Sequence, residues 1–190
     1  MVRILAMSGS SRRGSVNQKL LDRVAAGARD AGALVTAVRL ADYDMPIYDG
    51  DLEQERGVPD GARAFQAAVA EHDALLIATP EHNGGYTALL KNAVDWLSRP
   101  LADGRTGVSL LSGKTAALVS ASPGVLGGIR SQTALRIVLE KLGVIVLPQS
   151  MALGGAYDAF DQDGRLKDPV TDGVVRNIGR DLARLVGRLG

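Results

Sequence analysis

The strongest constraint on this chain is a set of short apolar runs that do not alternate with polar residues. Val2 to Met7, Ala74 to Thr79, Thr115 to Ser122 and Val144 to Leu147 are apolar or small at nearly every position, and Leu34 to Arg39 is a further strand candidate. A strand that is apolar on both faces must be covered on both faces, which is the condition of a parallel sheet between two helical layers. The intervening segments supply those helices. Asn17 to Ala31 places Leu20, Leu21, Val24, Ala28 and Ala31 on one face. Asp60 to Glu71 and Ala88 to Leu97 read as helices, the latter stopped by Pro100. A helix after Gly127-Gly128 collects Leu135, Val138, Leu139 and Leu142, and a last one, about Thr171 to Leu189, collects Val175, Ile178, Leu182, Leu185 and Leu189. Residues 42–59, with Pro46, Gly50, Gly57 and Pro59, read as a long loop. No linker or repeat divides the chain, so residues 1–190 are expected to form one domain. The expected fold is α/β, a doubly wound five-stranded parallel sheet in the order 2-1-3-4-5 with helices on both faces.

In such a sheet the ligand lies outside the carboxyl ends of strands 1 and 3, where the strand order reverses. The loops after strands 1, 3 and 4 should therefore carry the chemistry. They read Ser8-Gly-Ser-Ser-Arg-Arg-Gly-Ser-Val-Asn17, Pro80-Glu-His-Asn-Gly-Gly-Tyr86 and Ser120-Ala-Ser-Pro-Gly-Val-Leu-Gly-Gly128. The first precedes a helix N-terminus, whose free N–H groups and dipole favour an anion. Ser10, Ser15 and Asn17 add neutral donors, and Arg12 adds a charge-assisted one. A terminal phosphate monoester suits that set; the plainer alternative is a serine-capped turn with solvated arginines. The second loop can lay backbone N–H and C=O groups against a planar heterocycle. Glu81 would act there through its backbone or pair with an arginine, and His82 offers a flat face or one proton. Asn83-Gly84 is also a strong turn signal in its own right. Ser122 and Gly124 of the third loop would pass behind the same ring.

Other chemistries are excluded or weak. There is no cysteine, so disulfides, thiol redox and thiolate metal sites are out, and redox chemistry must come from a bound cofactor. Two histidines, His72 and His82, cannot make a multi-histidine metal centre, and no metal site is expected. A formal charge of +1 disfavours nucleic acid as a partner and also an acidic electron-carrier surface. No apolar run approaches the ~20 residues of a membrane span. The start, Met1-Val-Arg-Ile-Leu-Ala-Met7, lacks the pattern of a signal peptide, so the expected location is the cytoplasm. No G-x-G-x-x-G follows the first strand. Gly113-Lys114-Thr115 resembles the end of a Walker loop, but position 108 is valine and the segment precedes a strand rather than following one. Asp161-x-Asp163-Gly164 lacks the later ligands of a calcium loop and reads as a turn. Trp96 reads as core or interface and His72 as structural. Tyr86 and Arg99 are candidate substrate contacts, Arg99 as a cation that could draw an anionic acceptor to the ligand mouth.

These residues resemble a known family, the NADPH-dependent FMN reductases of the flavodoxin-like fold, and most nearly its quinone, azo-dye and chromate reductases. Ser8 to Asn17 is similar to the family's G-S-x-R-x-x-S-x-N phosphate loop. Pro80-Glu-His-Asn-Gly84 with Leu90-Lys-Asn-Ala-Val-Asp-Trp96 resembles its P-E-Y-N and L-K-N-A-I-D-W signatures, and Ser120 to Gly124 with Gly127 to Gln132 its third loop and following helix. His82 stands where the family usually has tyrosine, Thr87-Ala88 where it has Pro-Gly, and Tyr86 where it has an aliphatic residue. The resemblance implies FMN, with its phosphate held by Ser10, Arg12, Ser15, Val16 and Asn17. It implies the flavin ring resting on Pro80, Glu81, His82, Asn83 and Gly84, with Ser122 and Gly124 nearby. It also implies NADPH or NADH as donor, a small-molecule acceptor such as a quinone, azo compound or chromate, ping-pong turnover, no acid–base catalytic residue, and a homodimer or homotetramer. The alternative is a flavodoxin-like electron carrier or flavin-occupancy sensor without turnover of its own.

Overall fold

The computed structural model describes residues 1–189. The expected sheet is present, with every pairing parallel. Strands β1 (Arg3–Ser8), β2 (Leu34–Arg39), β3 (Ala74–Ala78), β4 (Thr115–Ala121) and β5 (Ile145–Val146) lie in the order β2-β1-β3-β4-β5. Helices α1 (Val16–Asp30), α3 (Asp60–Ala70), α4 (Ala88–Leu97), α5 (Ile129–Lys141) and α7 (Pro169–Leu189) pack on the two faces. The unbroken apolar strands now have a physical account. Ile4, Ala6, Leu76, Ala78, Ala117 and Val119 point into a core closed by α1 and α7. Leu5, Met7, Leu75, Ile77, Ala116 and Leu118 point to the opposite face, against α3, α4 and α5. Successive residues of one strand thus fill different cores, and both cores require apolar side chains. Trp96 is fully buried, and its indole N–H donates to Pro46 O (2.6 Å), so it is a core residue.

Three elements depart from the sequence reading. The fifth strand is only Ile145–Val146; the chain bends at Pro148 and pairs with β4 again as β6 (Met151–Leu153). Proline has no N–H to give the ladder, so one edge strand is split into two short pieces. Residues 42–59 contain a helix, α2 (Gly50–Arg56), capped by the Asp49 carboxylate and ended by Gly57 at φ 75°. It buries no residue, so it leaves no apolar periodicity in the sequence. A one-turn helix, α6 (Ala156–Ala159), follows β6. Among the described residues no helix is long and apolar enough to cross a membrane. His72 is buried, with its ring nitrogens 2.6 Å from Ala68 O and 2.8 Å from Thr36 Oγ1, which is a structural role. Asp161 Oδ1 accepts from the N–H groups of Asp163 and Arg165, a turn rather than a cation loop.

Candidate functional site

The three loops meet at the carboxyl edge of the sheet. They border a cleft of about 130 Å³ lined by Ser10, Arg12, Gly14, Ser15, Val16 and Asn17, by Pro80, Glu81 and His82, and by Ala121, Ser122, Pro123 and Tyr157. A larger concavity, about 840 Å³, opens among Val2, Asp73 and Lys114, which lead into β1, β3 and β4. That is the amino edge, away from the point where the strand order reverses, so the smaller cleft is the candidate.

Its floor is the start of α1. Ser15 is the N-cap, accepting from Gln18 N at 3.4 Å. Ser10 Oγ accepts from Arg12 N (3.3 Å), and Ser10 N donates to Ser8 Oγ (3.2 Å). These bonds shape the loop and leave the Ser10 and Ser15 hydroxyl protons free to donate. The Val16 and Asn17 N–H groups lie in the first helical turn, where no intrahelical acceptor exists. Arg12 is exposed at the rim. Asn17 is different. Its buried side chain donates to Ala121 O (2.8 Å) and accepts from Ala121 N (2.9 Å). The expected side-chain donor is therefore a clamp between the first and third loops, and what Asn17 offers the cleft is its backbone N–H.

The second loop is held by a tight turn. His82 and Gly85 exchange backbone bonds of 2.9 and 3.0 Å around Asn83 (φ 52°) and Gly84 (φ 84°). Two successive left-handed residues are the Asn-Gly hairpin geometry, so that dipeptide is a turn with its residues outside the cleft lining. Glu81 pairs locally, as one of the two expected alternatives. Its mostly buried carboxylate accepts from Arg130 Nε (2.6 Å) and Arg130 N (3.2 Å), tying the loop to the start of α5. Thr87 caps α4 and donates to Gly9 O at 2.8 Å. A Cβ on Gly9 would sit 2.8 Å from that same hydroxyl, so Gly9 allows the first and second loops to touch.

Two expected substrate residues lie elsewhere. Arg99 Nε donates to Glu53 (2.9 Å) and the guanidinium covers the Tyr48 ring (5.3 Å to the centroid), so it binds α2 to the end of α4. Glu53 also accepts from the Tyr48 hydroxyl, which raises the Tyr48 pKa, and its hydrogen bond raises that of Arg99. Tyr86 is partly buried and packs against the core on the α3, α4 and α5 face of the sheet. Neither lines the cleft. Gly124 also stands outside the lining, accepting from Ser122 Oγ at 3.2 Å. The residue that sequence reasoning missed is Tyr157. It follows Gly154-Gly155 on α6, and only the unexpected β6 brings it to the cleft.

The cleft thus offers neutral and charge-assisted donors at one end and a rim of proline, histidine and tyrosine at the other. Donors of that kind suit an anion, and side chains of that kind suit the face or edge of a flat ring. Comparison with known proteins identifies the family. Residues 2–158 match the model of the NADPH-dependent FMN reductase family. The chain is 39% identical over 170 residues to an NAD(P)H-dependent FMN reductase of Pseudomonas aeruginosa, covering 88% of this chain and 85% of that one. It is 34% identical over 168 residues to a quinone reductase of Pseudomonas putida, covering 87% and 84%. Among solved structures it is similar to a flavoenzyme NAD(P)H:acceptor oxidoreductase of Paracoccus denitrificans, with TM-score 0.82 and 26% identity over 99% of this chain and 98% of that one. The chain belongs to the NADPH-dependent FMN reductases, a family of oxidoreductase enzymes.

Proposed function

We propose that this chain is an FMN-dependent NAD(P)H oxidoreductase that reduces quinones. The observation that carries the proposal is the convergence of all three loops on one cleft whose phosphate end is built of uncommitted donors. The fit to FMN rests on the chemistry of that donor set. The Ser10 and Ser15 hydroxyls, the Val16 and Asn17 N–H groups and the Arg12 guanidinium would hold the phosphate. Pro80, Glu81 and His82 with Ser122 would border the ring, Asn83-Gly84 and Gly124 setting the loops' shape from behind. Bound FMN supplies the redox chemistry, accepting hydride from the nicotinamide and passing electrons to the acceptor.

The chain's own contribution is binding and orientation. Glu81 is neutralised by Arg130, so its charge does not oppose an anionic cofactor. Asn17 and Thr87 hold the three loops at fixed separation. Of the two histidines only His82 lines the cleft, and no proton transfer through it is required. One cleft open to solvent serves donor and acceptor in turn, which supports a ping-pong scheme. The same openness extends the acceptors to azo compounds and chromate. Val125, Leu126, Ile129 and Tyr157 are exposed around the third loop and α6, an apolar rim in keeping with a homodimer or homotetramer.

The test is an absorption titration. Purified protein saturated with FMN should show flavin bands that bleach on anaerobic addition of NADPH or NADH and return with a benzoquinone. Double-reciprocal plots at several quinone concentrations should be parallel. Bound flavin that fails to bleach would favour a carrier or sensor, and absence of flavin binding would remove the proposal.

A further inference from the structure

Tyr157 is the only exposed residue among the phenylalanines, tyrosines and tryptophan of this chain, and the only one of them that lines the cleft. The others are spent inside the fold. Trp96, Phe65 and Phe160 are buried, Tyr43 packs edge-on against Phe65, Tyr48 against Trp96, and Tyr86 against the core. Tyr157 is 62% exposed, yet Ala156 before it and Phe160 three residues on are both buried in the core shared with α1 and α7. Its backbone is therefore fixed while its ring stands free. A phenol ring has a large apolar face that favours a flat partner, and here it is presented to a cleft on a rigid support. His82 stands where the family usually has tyrosine, so the second loop brings no phenol to the cleft and α6 brings one instead.

The support is built from several sides. The chain around Gly154-Gly155 is bonded to the third loop, Ser122 N donating to Leu153 O and Ala156 N to Ser122 O, both at 3.0 Å. β6, which leads into α6, is three residues long and pairs with β4 alone, so it needs further anchors. Asn17 clamps Ala121, the β4 residue paired with Leu153 of β6. Gln132 of α5 holds the other end. Its buried amide donates to Met151 O (2.7 Å) and to Ser120 Oγ (2.6 Å), and Ser120 Oγ donates on to Gly127 O (2.7 Å). One side chain thus joins α5, the end of β4, the third loop and β6. The loop and the strand also touch directly, since a Cβ on Gly127 would sit 2.4 Å from the Ala152 carbonyl carbon. A buried amide with both bonds made is costly to disturb, so Gln132 fixes where β6 runs and, through it, where Tyr157 stands.

We infer that the Tyr157 ring packs against the flavin ring and that Gln132 is the positioning residue that holds it there. The inference rests on the FMN reading above. The contact is one of ring against ring, so it requires the phenyl group and not the hydroxyl.

The test is a fluorescence titration of the flavin-free protein with FMN. Tyr157→Ala should weaken binding about three- to tenfold, the scale of one aromatic pair, whereas Tyr157→Phe should bind as the unaltered protein does. A tyrosine in contact with a flavin quenches its emission by electron transfer, so bound FMN should be brighter in both variants. Gln132→Met keeps the length of the side chain and removes its amide. It should weaken FMN binding in the unaltered background and have less effect in Tyr157→Ala, the coupling expected of a double-mutant cycle. Unchanged affinity and brightness in Tyr157→Ala would overturn the contact. So would a loss in Tyr157→Phe equal to that in Tyr157→Ala, which would make the hydroxyl the group that binds. If a second copy of the chain covers the ring instead, Tyr157→Ala lowers the sedimentation coefficient and leaves FMN affinity unchanged, which also overturns it. An equal effect of Gln132→Met in both backgrounds would overturn its positioning role. The Tyr157 variants alter an exposed side chain and test the contact independently of how Gln132→Met folds. Failure of the reductase reading would appear separately, as bound flavin in the unaltered protein that neither NADPH nor NADH bleaches, while affinity and brightness are read without turnover.

Discussion

Arg12 and Asn17 stand five positions apart in one motif and do different work. Arg12 is exposed at the rim, and nothing in the fold depends on it. Asn17 is 4% exposed and satisfies both the N–H and the C=O of buried Ala121. Arg12→Ala should therefore weaken FMN binding by about 1.5–3 kcal/mol, the range for a hydrogen bond to a charged group, with the unfolding midpoint unmoved. Asn17→Ala leaves two buried backbone groups without partners and should cost about 2 kcal/mol of stability. Flavin titration and urea unfolding on both variants check this. A stability loss for Arg12→Ala equal to that for Asn17→Ala would contradict the division. The motif's letters were legible as a phosphate loop, yet nothing local to Asn17 says that its amide reaches residue 121. That contact exists only because β4 ends beside the start of α1.

At the scale of elements, the closest helix pair is α1 with α7, and glycine makes the approach possible. A Cβ on Gly27 would sit 1.9 Å from Arg176 O, and one on Gly179 would sit 2.0 Å from Val24 O. The backbones touch directly, with Val24 and Ala28 facing Val175, Ile178 and Leu182 on either side. Gly27→Ala should force the helices apart and destabilise by about 1–3 kcal/mol or more, read as a lower urea midpoint. Gly173→Ala, where a Cβ meets nothing within 4 Å, is the control and should be neutral or slightly stabilising. Both helices were readable from their apolar periodicity. Their mutual contact was not, because glycine in a helical pattern looks like a weak position until the partner backbone is seen. The same limit hid α2, which buries nothing, and β6, a short edge strand beyond a proline.

Across the whole molecule, α1 and α7 are also joined by charge. Arg23 grips Asp172 with two bonds of 2.7 and 2.8 Å, and Arg176 and Arg180 both reach Asp30. The hydrogen bond from Arg23 lowers the Asp172 pKa, and that from Arg176 lowers the Asp30 pKa. A carboxylate whose folded pKa is depressed contributes stability that is fully present above its unfolded value, about 3.9, and lost as pH falls through the folded value. The melting temperature should hold from neutrality to about pH 5 and then fall steeply below about pH 4. Asp172→Asn should lower it by about 2–4 °C at pH 7, as roughly 1 kcal/mol does in a chain this size, and should flatten the acid limb. An acid limb identical to that of the unaltered protein would exclude Asp172 from it. The sequence by itself determined the parallel core of the sheet and which loops gather at its carboxyl edge, because burial on both faces leaves unalternating strands and a doubly wound sheet reverses its strand order at one place. Tertiary structure alone decided which residues meet across those loops. It sent Arg99 to Glu53 and Glu81 to Arg130, and brought Tyr157 to the cleft. Periodicity reports which face of an element is buried, whereas a contact between distant side chains depends on how the packed elements place their ends.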